Sequence, residues 1–139
     1  MKLFASIATL AVLTGAALQP SAADTPESAA QAAAETWLGL LDRGDYAKSW
    51  DAAAKVFRDS ISQSQWMARA SAVLGPLGTV KSRRLGSARF ARSLPGAPDG
   101  EYVVIQFATS FEHKAEATET VTPMKDPDGQ WRVSGYVVR

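Results

Sequence analysis

Around Gly75-Pro76-Leu77-Gly78 the hydrophobic period changes from three-to-four residues to two, and this switch restricts the possible folds more than any other feature. Upstream, Ala30, Ala33, Ala34, Trp37, Leu38 and Leu41 recur at helical steps and predict a helix over Ser28 to Leu41. Arg43-Gly44-Asp45 interrupts it, with Gly44 suited to the left-handed end of one helix and Asp45 to the cap of the next. A second helix follows with Tyr46, Trp50, Ala53, Ala54 and Phe57 on one stripe, ending near Asp59 or Ser60. A third runs from about Ser62 to Leu74 with Trp66, Met67, Ala70, Val73 and Leu74. Downstream, Thr79 to Phe90 reads as a polar strand bent or bulged at Gly86, and Leu94 to Gly100 as a loop. Tyr102 to Ser110 alternates, with Val103, Ile105 and Phe107 on one face and Val104, Gln106 and Ala108 on the other. Ala115 to Met124 is a third strand, and Pro127-Asp128-Gly129 turns into a fourth that places Trp131, Val133, Gly135 and Val137 on one face. The pattern predicts an α+β fold: about three N-terminal helices packed on one side of a four-stranded antiparallel sheet.

The first residues belong to a different kind of signal. Lys2 precedes an apolar stretch from Leu3 to Leu18, Pro20 breaks it, and Ser21-Ala22-Ala23 supplies the small residues that a signal peptidase reads. The expectation is a signal peptide over residues 1–23, cleaved before Asp24, leaving one α+β domain over 24–139 in the periplasm or outside the cell. The apolar stretch falls short of the roughly 20 residues of a spanning helix. With 15 basic and 14 acidic side chains, loss of Lys2 leaves 14 of each, a balance that points to neither nucleic acid nor an anionic membrane as a partner. No cysteine is present, so disulfides, thiolate metal sites and cysteine nucleophiles are excluded.

Several blocks carry a resemblance: Trp37-Leu38, Gly44-Asp45-Tyr46, Ser49-Trp50, Pro76-Leu77-Gly78, Leu94-Pro95-Gly96, Gly100-Glu101-Tyr102, Phe111 through Lys114, Glu119-Thr120 and Gly129 through Tyr136. Together they resemble the bacterial domain of unknown function 4019, over nearly the whole chain after residue 23. The resemblance implies an exported setting and a cystatin-like cone, the helix-on-curved-sheet fold similar to that of nuclear transport factor 2 and ketosteroid isomerase. It implies no activity.

Catalytic groupings are sparse. His113 is the only histidine and sits in a turn beside Glu112 and Lys114, where a solvated surface role suffices. Glu116 and Glu119 fall on opposite faces of their strand and so cannot join His113 as metal ligands. No nucleophile elbow or phosphate-cradling loop is present, and no catalytic residue, metal or cofactor is assigned.

Two features rise above this background. Residues 55–92 hold eight basic side chains against Asp59 alone, whereas 99–128 hold seven acids against Lys114 and Lys125. Cross-strand pairing accounts for the asymmetry; the alternative is a basic rim of Lys81, Arg83, Arg84 and Arg89 facing an acidic ligand. Glu119, a lone acid on a threonine- and valine-rich strand, is expected to turn inward or to the rim and pair with Arg83 or Arg84. The second feature is an aromatic set in which Tyr46 and Tyr136 supply polar handles if the cone holds a cavity. Candidate ligand-binding residues are therefore Trp37, Tyr46, Trp50, Arg83, Arg84, Glu119 and Tyr136. The leading reading is a non-enzymatic module for a small ligand or a protein partner of the cell envelope. The alternatives are an isomerase or hydrolase of the ketosteroid-isomerase type, using a carboxylate and a tyrosine, and an envelope interaction protein without a pocket.

Overall fold

A computed structural model describes Gly15 and residues 25–139; the expected signal segment, Gly15 apart, and its cleavage point before Asp24 lie outside the described residues. Helix α1 (Pro26–Asp42) starts where the Thr25 hydroxyl accepts the Ser28 amide, with Pro26 in the first turn. Its buried stripe of Ala30, Ala34, Trp37, Leu38 and Leu41 lies on the sheet, and the two alanines let the backbones approach closely. At its end Gly44 takes φ 74° while the Asp45 amide reaches back to the Leu40 carbonyl. Asp45 occupies the N-cap position of α2 (Tyr46–Asp51), but its side chain makes no capping bond and faces Arg43 instead.

The expected second helix is two short ones, α2 and α3 (Lys55–Ser60), which with α4 (Gln63–Leu74) makes four α-helices among the described residues. Ala53 and Ala54, both fully buried, separate them because the Ala54 amide leaves the helical ladder to donate to the Val133 carbonyl at 2.8 Å. A tertiary hydrogen bond thus overrides the helix propensity of alanine. Helix α4 opens on a capping box between Ser62 and Gln65. Its Trp66 indole donates to the Ser49 hydroxyl at 2.9 Å, while the Trp37 indole donates to the Ser49 carbonyl at 2.8 Å. Ser49 is therefore a buried polar hub that joins α1, α2 and α4.

The strands β1 (Val80–Ala91), β2 (Tyr102–Phe111), β3 (Lys114–Lys125) and β4 (Trp131–Val138) form an antiparallel sheet in sequence order. Helices cover one face of this curved sheet, as the change of period predicts. Register shifts occur in β1 between Val80 and Ser82 and between Leu85 and Ser87, the second at the expected Gly86. That bulge resets the phase, so Ala88 and Phe90, rather than Arg89, pack on the core.

The fourth strand departs from the expected simple alternation. Thr122 pairs with Gly135 but Pro123 pairs with Val133, which leaves Ser134 as an extra residue in β4. Val133 keeps the inward position, but beyond the bulge Tyr136 turns inward and Val137 turns out to 48 % exposure. The Ser134 hydroxyl fixes the kink by donating to the Thr122 carbonyl at 2.7 Å.

Gly78 joins the helical half to the sheet with φ 76°, and a Cβ placed there would lie 2.9 Å from Glu112 Cβ and 3.0 Å from His113 Cδ2. Gly44 has similar φ but open space around it. Gly78→Ala should cost about 2 kcal/mol and Gly44→Ala about 1 kcal/mol in denaturant unfolding. Equal losses would show that the contact with the β2–β3 turn is relieved without cost.

Candidate functional site

The inner positions of β3 read Ala117, Glu119, Val121, so the strand's alternation drives one carboxylate into an otherwise apolar layer. Glu119 is 1 % exposed. A buried carboxylate survives only with donors around it, and three are present. Its Oε1 accepts Arg83 Nε at 2.8 Å and the Thr109 hydroxyl at 2.6 Å, and its Oε2 accepts the Tyr136 hydroxyl at 2.5 Å.

Each partner is placed by the sheet. Arg83 registers opposite Thr109 across β1 and β2, and its side chain spans β2 to reach β3. Tyr136 reaches Glu119 because the Ser134 bulge turns it inward, where its ring packs 5.5 Å from that of Trp37. The far side of the Arg83 guanidinium forks onto Asp42, the last residue of α1, at 2.8 and 3.0 Å. The chain Tyr136, Glu119, Arg83, Asp42 thus ties α1 to all four strands through Thr109. No buried side-chain polar atom lacks a partner among the described residues.

Burial by itself would lower the Arg83 pKa, but hydrogen bonds and charge from Asp42 and Glu119 outweigh it and hold the guanidinium above its ordinary range. Burial first, then the negative charge of Glu119 and their hydrogen bond, push the Tyr136 phenol well above the ordinary value of 10.0. A group whose folded pKa is raised stabilises fully below its unfolded pKa and loses that contribution as pH rises beyond it. Stability should therefore fall above about pH 10, and Tyr136→Phe should flatten that decline in urea midpoints taken from pH 8 to 11. An identical decline in the variant would place its origin elsewhere.

Above this network lies a cleft of about 340 Å³, lined by Asp42, Tyr46, Thr79, Glu112, Glu119 and Tyr136 among others. The α1–α2 turn forms one wall and the Gly75–Gly78 connection the other. Its charged lining is Asp42, Glu112 and Glu119 against the Arg43 guanidinium, and the Tyr46 hydroxyl has no hydrogen-bond partner among the described residues. On its other side Tyr136 also walls a wider cleft of about 780 Å³ against Phe57, Ile61 and Trp66, and a narrower groove of about 200 Å³ along α4.

Of the seven residues singled out from sequence, Glu119, Arg83 and Tyr136 meet in one network, Tyr46 lines the cleft above it, and Trp37 supports it from within the core. Trp50 stands apart: its indole donates to the Ile61 carbonyl at 2.8 Å and braces α2 against the start of α4. Arg84 makes no bond to the network and is exposed on the opposite face of the sheet, in a cleft with Ser110, Glu116 and Thr118 that Arg83 and Thr109 also line. The basic rim is only partly paired, since Arg83 holds two acids whereas Lys81, Arg84 and Arg89 form no ion pair among the described residues. Asp42 and Thr109 were absent from the expected set. Thr109 carried a usable signal, as a polar residue in phase with Val103, Ile105 and Phe107.

His113 is exposed in the β2–β3 turn with Glu112 at 3.0 Å. Among the described residues no group of three or more His, Cys, Asp or Glu side chains could hold a metal ion, and no helix is long and apolar enough to cross a membrane. The family model described as protein of unknown function (DUF4019) matches residues 33–136, and the chain belongs to that family. No curated protein matches it.

Proposed function

We propose that this member of the DUF4019 family is an exported, non-enzymatic module that binds a small, donor-bearing ligand in the cleft above Glu119. The observation that carries this reading is the Tyr46 hydroxyl, without a hydrogen-bond partner among the described residues, in a cleft of about 340 Å³, a size that suits a small ligand, whose charged lining is three carboxylates against the Arg43 guanidinium. Asp42 is engaged by Arg83 and Glu112 by Thr79 and His113, and the lone pairs that these carboxylates keep can accept from hydroxyl or amine donors. The export half of the proposal rests on the N-terminal signal pattern.

The isomerase-type reading draws support from the buried Glu119 and Tyr136 pair, a carboxylate and a tyrosine in contact. Binding is favoured because Glu119 is 1 % exposed and both its oxygens are already taken by Arg83, Thr109 and Tyr136, which leaves neither presented to a substrate. The cleft weighs against the pocketless reading.

A thermal-shift screen with small amines and polyols tests the proposal. At least one class should raise the melting temperature, and Tyr46→Phe, with its ligand-free melting temperature unchanged, should weaken that binding about tenfold, the loss of one hydrogen bond of roughly 1.4 kcal/mol. A screen without shifts, or shifts that survive Tyr46→Phe, would overturn it. Turnover of a screened compound that disappears in folded Glu119→Gln would replace binding with catalysis.

A further inference from the structure

The two edges of the sheet are treated differently. β1 carries Lys81, Arg83, Arg84 and Arg89 and two register shifts, the usual means of blunting an edge. β4 carries no charge from Ser134 to Val138. Thr118 and Arg139 exchange both backbone hydrogen bonds, at 2.9 and 3.0 Å. By antiparallel alternation the next exchanged pairs are Thr120 with Val137 and Thr122 with Gly135, which turns the N–H and C=O of Tyr136 and Val138 outward from the sheet.

Those outward groups border the groove of about 200 Å³ between β4 and α4, whose walls include Trp66, Ala70, Val73 and Val138. Val73 and Val137 are 46 % and 48 % exposed, high values for valines beside a groove. Arg69 also lines it and has no ion pair among the described residues. At the other end of the strand the Ala54 amide occupies the Val133 carbonyl and closes the edge. The open stretch is therefore five residues, about 17 Å at 3.4 Å each.

We propose that the β4 edge from Ser134 to Val138 accepts an extended, acidic segment of a partner protein as a fifth strand, its apolar side chains against α4 and its carboxylate on Arg69. Alternating outward donors and acceptors match a polypeptide main chain, which is how strand addition gains affinity while side-chain pockets add specificity. Charge selects the partner. A second copy pairing through this edge would bring a further Arg69 side chain to a groove that already holds one, whereas an acidic segment supplies the missing counter-charge.

The test uses isotope-labelled protein and a capped seven-residue peptide, Ser-Val-Ser-Glu-Ser-Val-Ser, in which the glutamate shares a face with the valines. Saturable binding is expected, with amide shifts confined to residues 134–138 and 66–74. N-methylation of alternate peptide amides should abolish it, and replacing the glutamate with lysine should weaken it at least fivefold. Arg69→Glu should reverse that charge preference. Val138→Pro removes an outward N–H without touching the β3 ladder and should weaken binding at least fivefold at an unchanged melting temperature. No saturation up to millimolar peptide, indifference to N-methylation or to charge, shifts at β1, or a dimer that buries the edge without peptide would overturn the proposal. Tyr46→Phe should leave peptide binding unchanged, so this edge and the cleft succeed or fail separately.

Discussion

Glu119→Ala is expected to lower the unfolding free energy by about 3 kcal/mol, a fall in melting temperature of roughly 10 °C or more for a domain of this size. Breaking a buried ion pair costs about 3–5 kcal/mol because the surviving charge is stranded. Here the lower end applies, since Arg83 keeps its two hydrogen bonds to Asp42. The remainder comes from the Thr109 and Tyr136 hydroxyls, which both lose their acceptor. Glu119→Gln retains one acceptor oxygen and should cost about half as much. Replacing the pair together, Arg83→Met with Glu119→Leu, should recover much of the loss, although Asp42 then loses its partner. In Glu119→Ala the Tyr136 phenol should titrate lower than in the wild type yet still above 10, because burial is the largest cause of its shift. A loss below about 1 kcal/mol would show that the carboxylate is not the junction its contacts describe.

How much of this was legible in the sequence varies residue by residue. The change of period at Gly78 located the boundary between helices and sheet, and Gly86 marked a real bulge, because a glycine inside a strand signals a backbone that must deviate. Glu119 was legible as a paired acid, since a lone charge in a threonine- and valine-rich strand has few other fates. Which arginine would answer it was set by register: Arg83 faces inward opposite Thr109, and Arg84 faces away. Asp42 carried little local signal, because aspartate at a helix end reads as a cap and its partner lies 41 residues away. Tyr136 was recognised as a residue type but given the wrong phase; the bulge depends on Ser134 meeting the Thr122 carbonyl. The helix break at Ala53–Ala54 was hidden for the same reason, since its cause is a carbonyl on β4.

Trp37→Ala is expected to be the most damaging single truncation, at about 4 kcal/mol, in the range for deleting a fully packed aromatic side chain. Trp37 is 2 % exposed, and its ring lies 6.4 Å from Phe57, 6.0 Å from Trp66 and 5.5 Å from Tyr136. The cavity would open between α1 and the sheet, where helices pinned from several directions have little freedom to collapse inward. Trp37→Phe keeps much of the ring volume but leaves the Ser49 carbonyl without the indole donor, so about 2 kcal/mol is expected. The comparison also tests how the site is held. If Trp37 packing positions Tyr136, the truncated variant should bring the phenol titration closer to 10 even though Glu119 is intact. If instead the titration is unchanged while stability falls, the hydrogen bond to Glu119 and the Ser134 bulge hold the tyrosine alone, and the aromatic core serves only to close the fold.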